Sequence, residues 1–155
     1  MLERFYVTPR NSYRFGGDNR VNYSPVVVVK GSDHAHVYVS GRVSRQPDGE
    51  VACKGDMRGQ IRVTCENIKL ALECVGATFA DVTRTVTYTT DIGAYFKSAD
   101  ERFKFFDEPL PTSSLIGVAS LALPDLLVEI EVEAIIEPER VRIDGWSEAA
   151  SDAGG

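Results

Sequence analysis

The stretch LLVEIEVEAII, residues 126–136, alternates aliphatic and acidic side chains through its middle. In a β-strand, successive side chains point to opposite faces of the sheet. The aliphatic residues therefore share one face, and Glu129, Glu131 and Glu133 share the other. We expect the aliphatic face to pack in a core and the glutamate row to meet water, a partner subunit or a pocket.

Four further segments have the composition of strands. PVVVVKG (25–31) and HVYVSG (36–41) are β-branched runs with a short polar break between them. VTRTVTYTTD (82–91) alternates threonine with other residues, which is typical of a half-buried strand, and we expect its threonine face to lie beside the glutamate row. SSLIGVASLAL (113–123) predicts a strand joined to the last one by a Pro-Asp turn.

Two segments have helical periodicity instead. From Asp56 apolar residues recur at steps of three and four, and Gly76 follows where a helix C-cap would lie. A second helix is predicted around residues 95–106, ending before Pro109. The order β-β-α-β-α-β-β predicts an α+β domain, with the helices packed on one face of a mostly antiparallel sheet.

The two ends of the chain lack a clear period. Residues 1–22 predict a loop or an arm packed on something else, either folded over a cleft or extended across a neighbour. The small polar residues from Ser147 onward predict a frayed end. We therefore divide the chain into an N-terminal arm (1–22), a domain (23–137) and a C-terminal extension (138–155).

Composition excludes several classes of protein. A chain of 155 residues suits one globular domain. Its net charge is −6 and no basic run interleaves with aromatic residues, so we expect no nucleic-acid partner. The apolar runs are far shorter than the ~20 residues of a membrane span, and MLERFYVTPR lacks a signal-peptide core, so we expect a cytoplasmic protein without a membrane partner. Three cysteines without CxxC spacing predict reduced thiols.

Several segments together resemble the RidA/YjgF family of small trimeric enamine and imine deaminases. The resemblance covers about residues 22–137. It implies a chorismate-mutase-like fold, a homotrimer whose sheets surround a central barrel, and small-molecule ligands in three clefts between subunits. The segments that carry it are YSPVVVV (23–29), VYVSGRV (37–43), CENIKLALECVGATFADV (65–82), VTYTTDIGAYF (86–96) and LLVEIEVEA (126–134).

The resemblance also implies a set of site residues. Tyr23 matches a tyrosine that lines the family's cleft, and Ser40 and Gly41 match its Ser-Gly pair. Glu129 matches the glutamate that positions water or the imine nitrogen, which makes it the candidate catalytic residue. A shift in the preceding turn would leave Glu131 as a rival on the same face.

One family residue has no match. The family holds a substrate carboxylate with an arginine after a Pro-x pair, and this chain has Ser113 in that place, within PTSS. A guanidinium grips a carboxylate through two charge-assisted hydrogen bonds, whereas a serine offers one neutral donor. We therefore expect poor turnover of 2-aminoacrylate. Arg42, two residues beyond Ser40 on a predicted strand, is a candidate replacement, and the alternative is a solvated or intersubunit arginine.

No metal or cofactor is predicted. His34 and His36 form an HxH pair, but no third ligand stands at a recognisable spacing, so we interpret them as loop histidines.

Three functions are consistent with these residues. The first is an imine or enamine hydrolase for a substrate other than 2-aminoacrylate, for example an aminomuconate-like intermediate of aromatic breakdown. Glu129 would then orient water, while Ser40, Gly41 and Ser113 hold the substrate. The second is a non-catalytic trimer that binds a metabolite in the same clefts. The third is the endoribonuclease activity attributed to some family members, which the acidic composition disfavours.

Overall fold

The computed structural model describes residues 1–13 and 22–149. Its sheet has seven strands in the order β5-β4-β6-β3-β2-β1-β7. Every neighbouring pair is antiparallel except β4 and β5. The strands are β1 (Glu3–Pro9), β2 (Val26–Lys30), β3 (Ala35–Val43), β4 (Val82–Thr89), β5 (Thr112–Gly117), β6 (Val128–Ile136) and β7 (Gly145–Ala149).

Two helices pack on one face of this sheet, as the sequence predicts. Helix α1 spans Met57–Glu73, and α2 spans Ile92–Ser98 and continues as a 3-10 helix over Ala99–Lys104. The α+β fold is therefore confirmed. Among the described residues, no helix is long and apolar enough to cross a membrane.

Local chemistry explains where both helices begin and where α1 ends. The Asp56 carboxylate accepts a hydrogen bond from Gly59 N, and Asp91 accepts one from Ala94 N, so each aspartate caps a helix N-terminus. Gly76 follows α1 with φ of +89°, a left-handed conformation that favours glycine.

The core lies between α1 and the helix-facing side of the sheet. The aliphatic residues of β6 are buried, as their alternation predicts, and they pack with Ile61, Ile68 and Leu72 of α1. The three glutamates of β6 are half-buried on the opposite face. The period-two interpretation of this strand is confirmed.

The end segments correct the sequence analysis. Residues 3–9, predicted as a loop or arm, form β1 between β2 and β7. Residues 145–149 form β7, although the sequence predicts fraying from Ser147, while residues 150–155 lie outside the described part. Backbone hydrogen bonds to a neighbouring strand hold both segments, and such pairing leaves little trace in a short sequence without a sustained period.

Two predictions about the central strands are also wrong. The strand predicted over 113–123 ends at Gly117, and in the sheet β4 lies between it and β6. The threonine face of β4 does not lie beside the glutamates. Thr85 and Thr87 stand opposite Val132 and Ile130, so they face the helices. The residues of β4 opposite the glutamate row are Arg84, Val86 and Tyr88.

Candidate functional site

A cavity of about 320 Å³ lies between the end of β3, the C-terminal half of α1 and the segment that precedes β6. It brings together five of the six residues that the resemblance implies or that the sequence nominates. These are Tyr23, Ser40, Gly41, Arg42 and Glu129.

Glu129 stands directly over Gly41. A methyl group at Gly41 would overlap the Glu129 carboxylate, so glycine at this position makes room for the acid. The half-buried carboxylate has no hydrogen-bond partner in the part of the chain that the structure describes. An acceptor that is half withdrawn from water and unpaired is available to a ligand.

The other two glutamates of the row are already engaged. Glu131 Oε1 accepts a hydrogen bond from the Tyr88 hydroxyl at 3.3 Å. Glu133 pairs with Arg84 Nη1 at 3.1 Å and with His36 Nε2 at 3.2 Å. Neither lines the cavity, which distinguishes Glu129 from its same-face rival Glu131.

The surroundings of Glu129 favour its protonated form. Burial raises the pKa of this carboxyl above its ordinary value, and the negative charge of Glu131 raises it further, while Arg42 acts in the opposite direction. A carboxyl group with a raised pKa can exchange protons nearer to neutral pH.

Arg42 is buried, so the solvated alternative is wrong. A register shift between Val39 and Arg42 marks a bulge in β3, and Arg42 stands opposite the core residue Ile130. Its Nη2 donates to Pro25 O at 2.9 Å, and its Nε has no partner among the described residues. Burial lowers the pKa of the Arg42 guanidinium, while the nearby Tyr23 and Glu129 act to raise it.

Ser40 and Tyr23 border the same space differently. Ser40 Oγ donates to Ser24 O at 2.7 Å, so the hydroxyl proton is committed and its oxygen is left to accept. Tyr23 is 53% exposed and lies at the edge of the cavity.

Three further lining residues are missing from the sequence prediction. The Tyr13 ring lies 3.6 Å from the Arg45 guanidinium carbon, in a cation–π contact at the cavity. The Asn67 amide donates to Val43 O and Arg45 O, which ties the end of β3 to α1. No sequence spacing predicts the contact between Tyr13 and Arg45, because the two residues lie in separate segments. Of the three residues, only Asn67 belongs to a segment that resembles the family.

Ser113 lies elsewhere in the subunit. It is exposed on β5, opposite Thr85, and lines a separate groove beside α2. Within one subunit the structure therefore does not bring Ser113 to Glu129.

A buried glutamine positions the start of β6. Gln60 of α1 is fully buried. Its Nε2 donates to Asp125 O, and its Oε1 accepts from Leu127 N, both at 2.8 Å. These two bonds fix the turn that precedes the strand carrying Glu129.

Comparison with known proteins adds a family to this geometry. The family model described as Endoribonuclease L-PSP matches residues 18–136. A RutC family protein of Pyrococcus abyssi is 31% identical over 101 residues, which cover 65% of this chain and 79% of that protein. A 2-iminobutanoate/2-iminopropanoate deaminase of Dermatophagoides farinae is 29% identical over 101 residues, covering 65% and 78%.

A solved structure agrees with the fold. A member of the YjgF family from Mycobacterium tuberculosis superposes with a TM-score of 0.63 at 32% identity, covering 82% of this chain and 99% of that one.

Proposed function

We propose, from the premise that this chain belongs to the Endoribonuclease L-PSP family, which includes the RidA/YjgF proteins, that it hydrolyses a small imine or enamine. The observation that carries the proposal is the unpaired, half-buried carboxylate of Glu129 above Gly41 in a cavity that also holds a buried arginine. The deaminase name of the mite relative supports the same class of reaction.

The reaction needs one group that moves protons. Hydrolysis adds water across the C=N bond, and the carbinolamine that forms then expels ammonia and leaves a carbonyl. Glu129 takes a proton from the attacking water and returns one to the departing nitrogen. Its raised pKa suits both transfers, because a proton-transfer catalyst is most effective when its pKa approaches the working pH.

The charges around the cavity favour an anionic substrate. Among its described lining residues, Arg42 and Arg45 are cations and Glu129 is the single carboxylate. Arg42 and Arg45 line the Glu129 cavity, whereas Ser113 lines a separate groove. A substrate carboxylate held by these two arginines would therefore lie at a different distance from the C=N bond than a carboxylate held at position 113. We therefore propose a substrate other than 2-aminoacrylate, for example an aminomuconate-like enamine. We also propose that the site is completed in a homotrimer.

The test measures ammonia release from three compounds. 2-Aminoacrylate and 2-iminobutyrate, generated in place by a coupling enzyme, are expected to react near the background rate, and 2-aminomuconate is expected to react faster. Glu129→Gln removes the proton-transfer group with little change of shape, and it should lower kcat at least about a hundredfold. Glu131→Gln is the matched control and should keep most of the activity.

Two outcomes would change the proposal. If none of the three compounds releases ammonia but one binds saturably, the chain is a metabolite-binding protein. If the unmodified protein hydrolyses 2-iminobutyrate as fast as a relative that carries the family arginine, another cation already takes the place of that arginine. In that case Ser113→Arg would not increase the hydrolysis of 2-iminobutyrate. We expect instead that Ser113→Arg restores part of this hydrolysis.

A further inference from the structure

The outer part of the Glu129 cavity contains an arginine in a fixed orientation. Arg45 lies in the turn that follows β3, where it is half-buried. Its Nε donates to Gly49 O at 2.7 Å, and its guanidinium carbon lies 3.6 Å from the centre of the Tyr13 ring. A hydrogen bond on one edge and an aromatic ring on one face together hold a guanidinium in place. Arg45 therefore presents a positioned charge to the cavity.

This arginine has no counter-ion in the part of the chain that the structure describes. Its two terminal nitrogens, Nη1 and Nη2, donate to no described residue. Asp48 and Glu50 belong to the same turn, but neither pairs with Arg45, and Asp48 accepts a hydrogen bond from Glu50 N instead. A half-buried guanidinium with two unused donor groups favours an anion in the adjoining space.

The two arginines of the cavity lie at different depths. Arg42 is only 8% exposed, donates to Pro25 O and lowers the pKa of Glu129 through its charge. Arg45 lies further along the chain and contacts the N-terminal segment through Tyr13. A carboxylate next to a C=N bond at Glu129 can be held by the deeper cation. The outer cation is then left for a second anionic group.

The space around Arg45 suits a substrate longer than 2-aminoacrylate. Leu70, Ala122 and Leu126 give the cavity an apolar wall, which can hold a short hydrocarbon chain. Cavities of about 300–1,000 Å³ bind ligands much larger than a three-carbon acid. Tyr13 precedes residues 18–136, to which the family model matches, so the Tyr13–Arg45 contact uses a part of this chain outside the family match.

We propose that Arg45, held by Tyr13, binds a second carboxylate at the end of the substrate remote from the C=N bond, so that the substrate class is a dicarboxylic imine or enamine. This inference rests on the proposed hydrolysis, which puts the C=N bond at Glu129. The hydrocarbon chain between the two carboxylates lies along Leu70 and Leu126. The two free terminal nitrogens of Arg45 match the two oxygens of a carboxylate.

The experiment compares two stable 2-oxo acids, which have the chemistry of the hydrolysis product. 2-Oxoglutarate and 2-oxopentanoate differ only in that a methyl group replaces the second carboxylate. In titration calorimetry on the full chain, 2-oxoglutarate should bind at least about tenfold more tightly, because it alone reaches Arg45 with a charge.

Substitutions of Arg45 identify the residue that makes this difference. Arg45→Gln should weaken 2-oxoglutarate binding about tenfold or more and leave 2-oxopentanoate binding unchanged, which also shows that the variant is folded. Arg45→Lys should retain part of the preference. Arg142→Gln, a change of an exposed arginine outside the cavity, is the control and should alter neither affinity.

Binding requires no turnover, so this test is separate from that of the hydrolysis. Glu129→Gln should still prefer 2-oxoglutarate, whether or not the unmodified chain releases ammonia. The proposal is wrong if 2-oxoglutarate binds no more tightly than 2-oxopentanoate, or if Arg45→Gln weakens the two equally. If 2-iminobutyrate and 2-aminomuconate are hydrolysed with equal kcat/KM and Arg45→Gln changes neither value, the hydrolysis stands and the second carboxylate site is refuted.

Discussion

At the scale of single residues, the site depends on the contact between Gly41 and Glu129. The register of β6 turns three glutamates toward one face, but only Glu129 reaches the cavity, and it does so because Gly41 has no side chain. The other two glutamates have hydrogen-bond partners. Tyr88 donates to Glu131, and Arg84 and His36 pair with Glu133.

The space above Gly41 yields a test. Gly41→Ala should displace the Glu129 carboxylate and lower turnover at least about tenfold, because a misplaced proton-transfer group loses its geometry. The melting temperature should change little, since Gly41 lacks a positive φ and the atoms in the way belong to a flexible side chain. Gly93→Ala, where the nearest atom lies 3.5 Å away, is the control. Full activity in Gly41→Ala would show that the position of Glu129 is not critical.

Glu129 should also make stability depend on pH. Its pKa is higher in the folded chain than the ordinary ~4.3 of an unfolded glutamate. The folded state therefore binds this proton more tightly, and the associated stability is lost as pH rises from about 4 through the raised pKa. Glutamine does not ionise, so Glu129→Gln should melt above the unmodified protein at pH 7 and level with it near pH 4.

The control for this measurement is Glu139→Gln, which changes an exposed glutamate. A Glu129→Gln variant that melts lower at pH 7 would mean that the attraction between Glu129 and Arg42 outweighs burial and the repulsion from Glu131.

At the scale of elements, one helix positions the strand that carries Glu129. Gln60 links α1 to both sides of the turn before β6. Gln60→Leu would leave Asp125 O and Leu127 N without their partly buried hydrogen bonds, at a cost of about 1–3 kcal/mol in the free energy of unfolding. Urea denaturation measures this cost. Gln46→Leu makes the same change at an exposed position and should shift stability by less than about 0.5 kcal/mol. Equal effects of the two changes would refute the role of Gln60.

At the scale of the whole molecule, the glutamate face of the sheet lacks a helix among the described residues. Tyr38 and Ile135 lie on this face and are 42% and 44% exposed. Large apolar side chains on an uncovered sheet face indicate an interface. If the proposed homotrimer buries this face, light scattering should give about three times the 17.0 kDa chain mass.

A substitution can test the same interface. Tyr38→Glu places a charge opposite Glu133 and should lower the mass toward that of one chain, because like charges across a strand pair repel and cannot be buried together. Leu2→Glu, at an exposed position near the N-terminus, should not. A stable monomer of the unmodified chain in dilute buffer would contradict the proposal of a cleft between subunits.

The sequence alone determined those features that depend on local period and local chemistry. The alternation in β6, the apolar spacing of α1 and the cap position of Gly76 are properties of neighbouring residues, so the element order from β2 to β6 could be predicted. The segments that resemble the RidA/YjgF family also indicate the family from the sequence alone.

The tertiary structure decided the features that depend on which distant segments meet. Strand β1 exists because it pairs with β2 and β7, β7 extends the sheet by pairing with β1, and β4 separates β5 from β6. The bulge in β3 turns Arg42 toward the core, which a strict period of two does not predict. Only the packing of distant segments puts Arg45 against Tyr13 and Arg102 against Thr85, because side-chain contact depends on distance in space and not on separation in the chain.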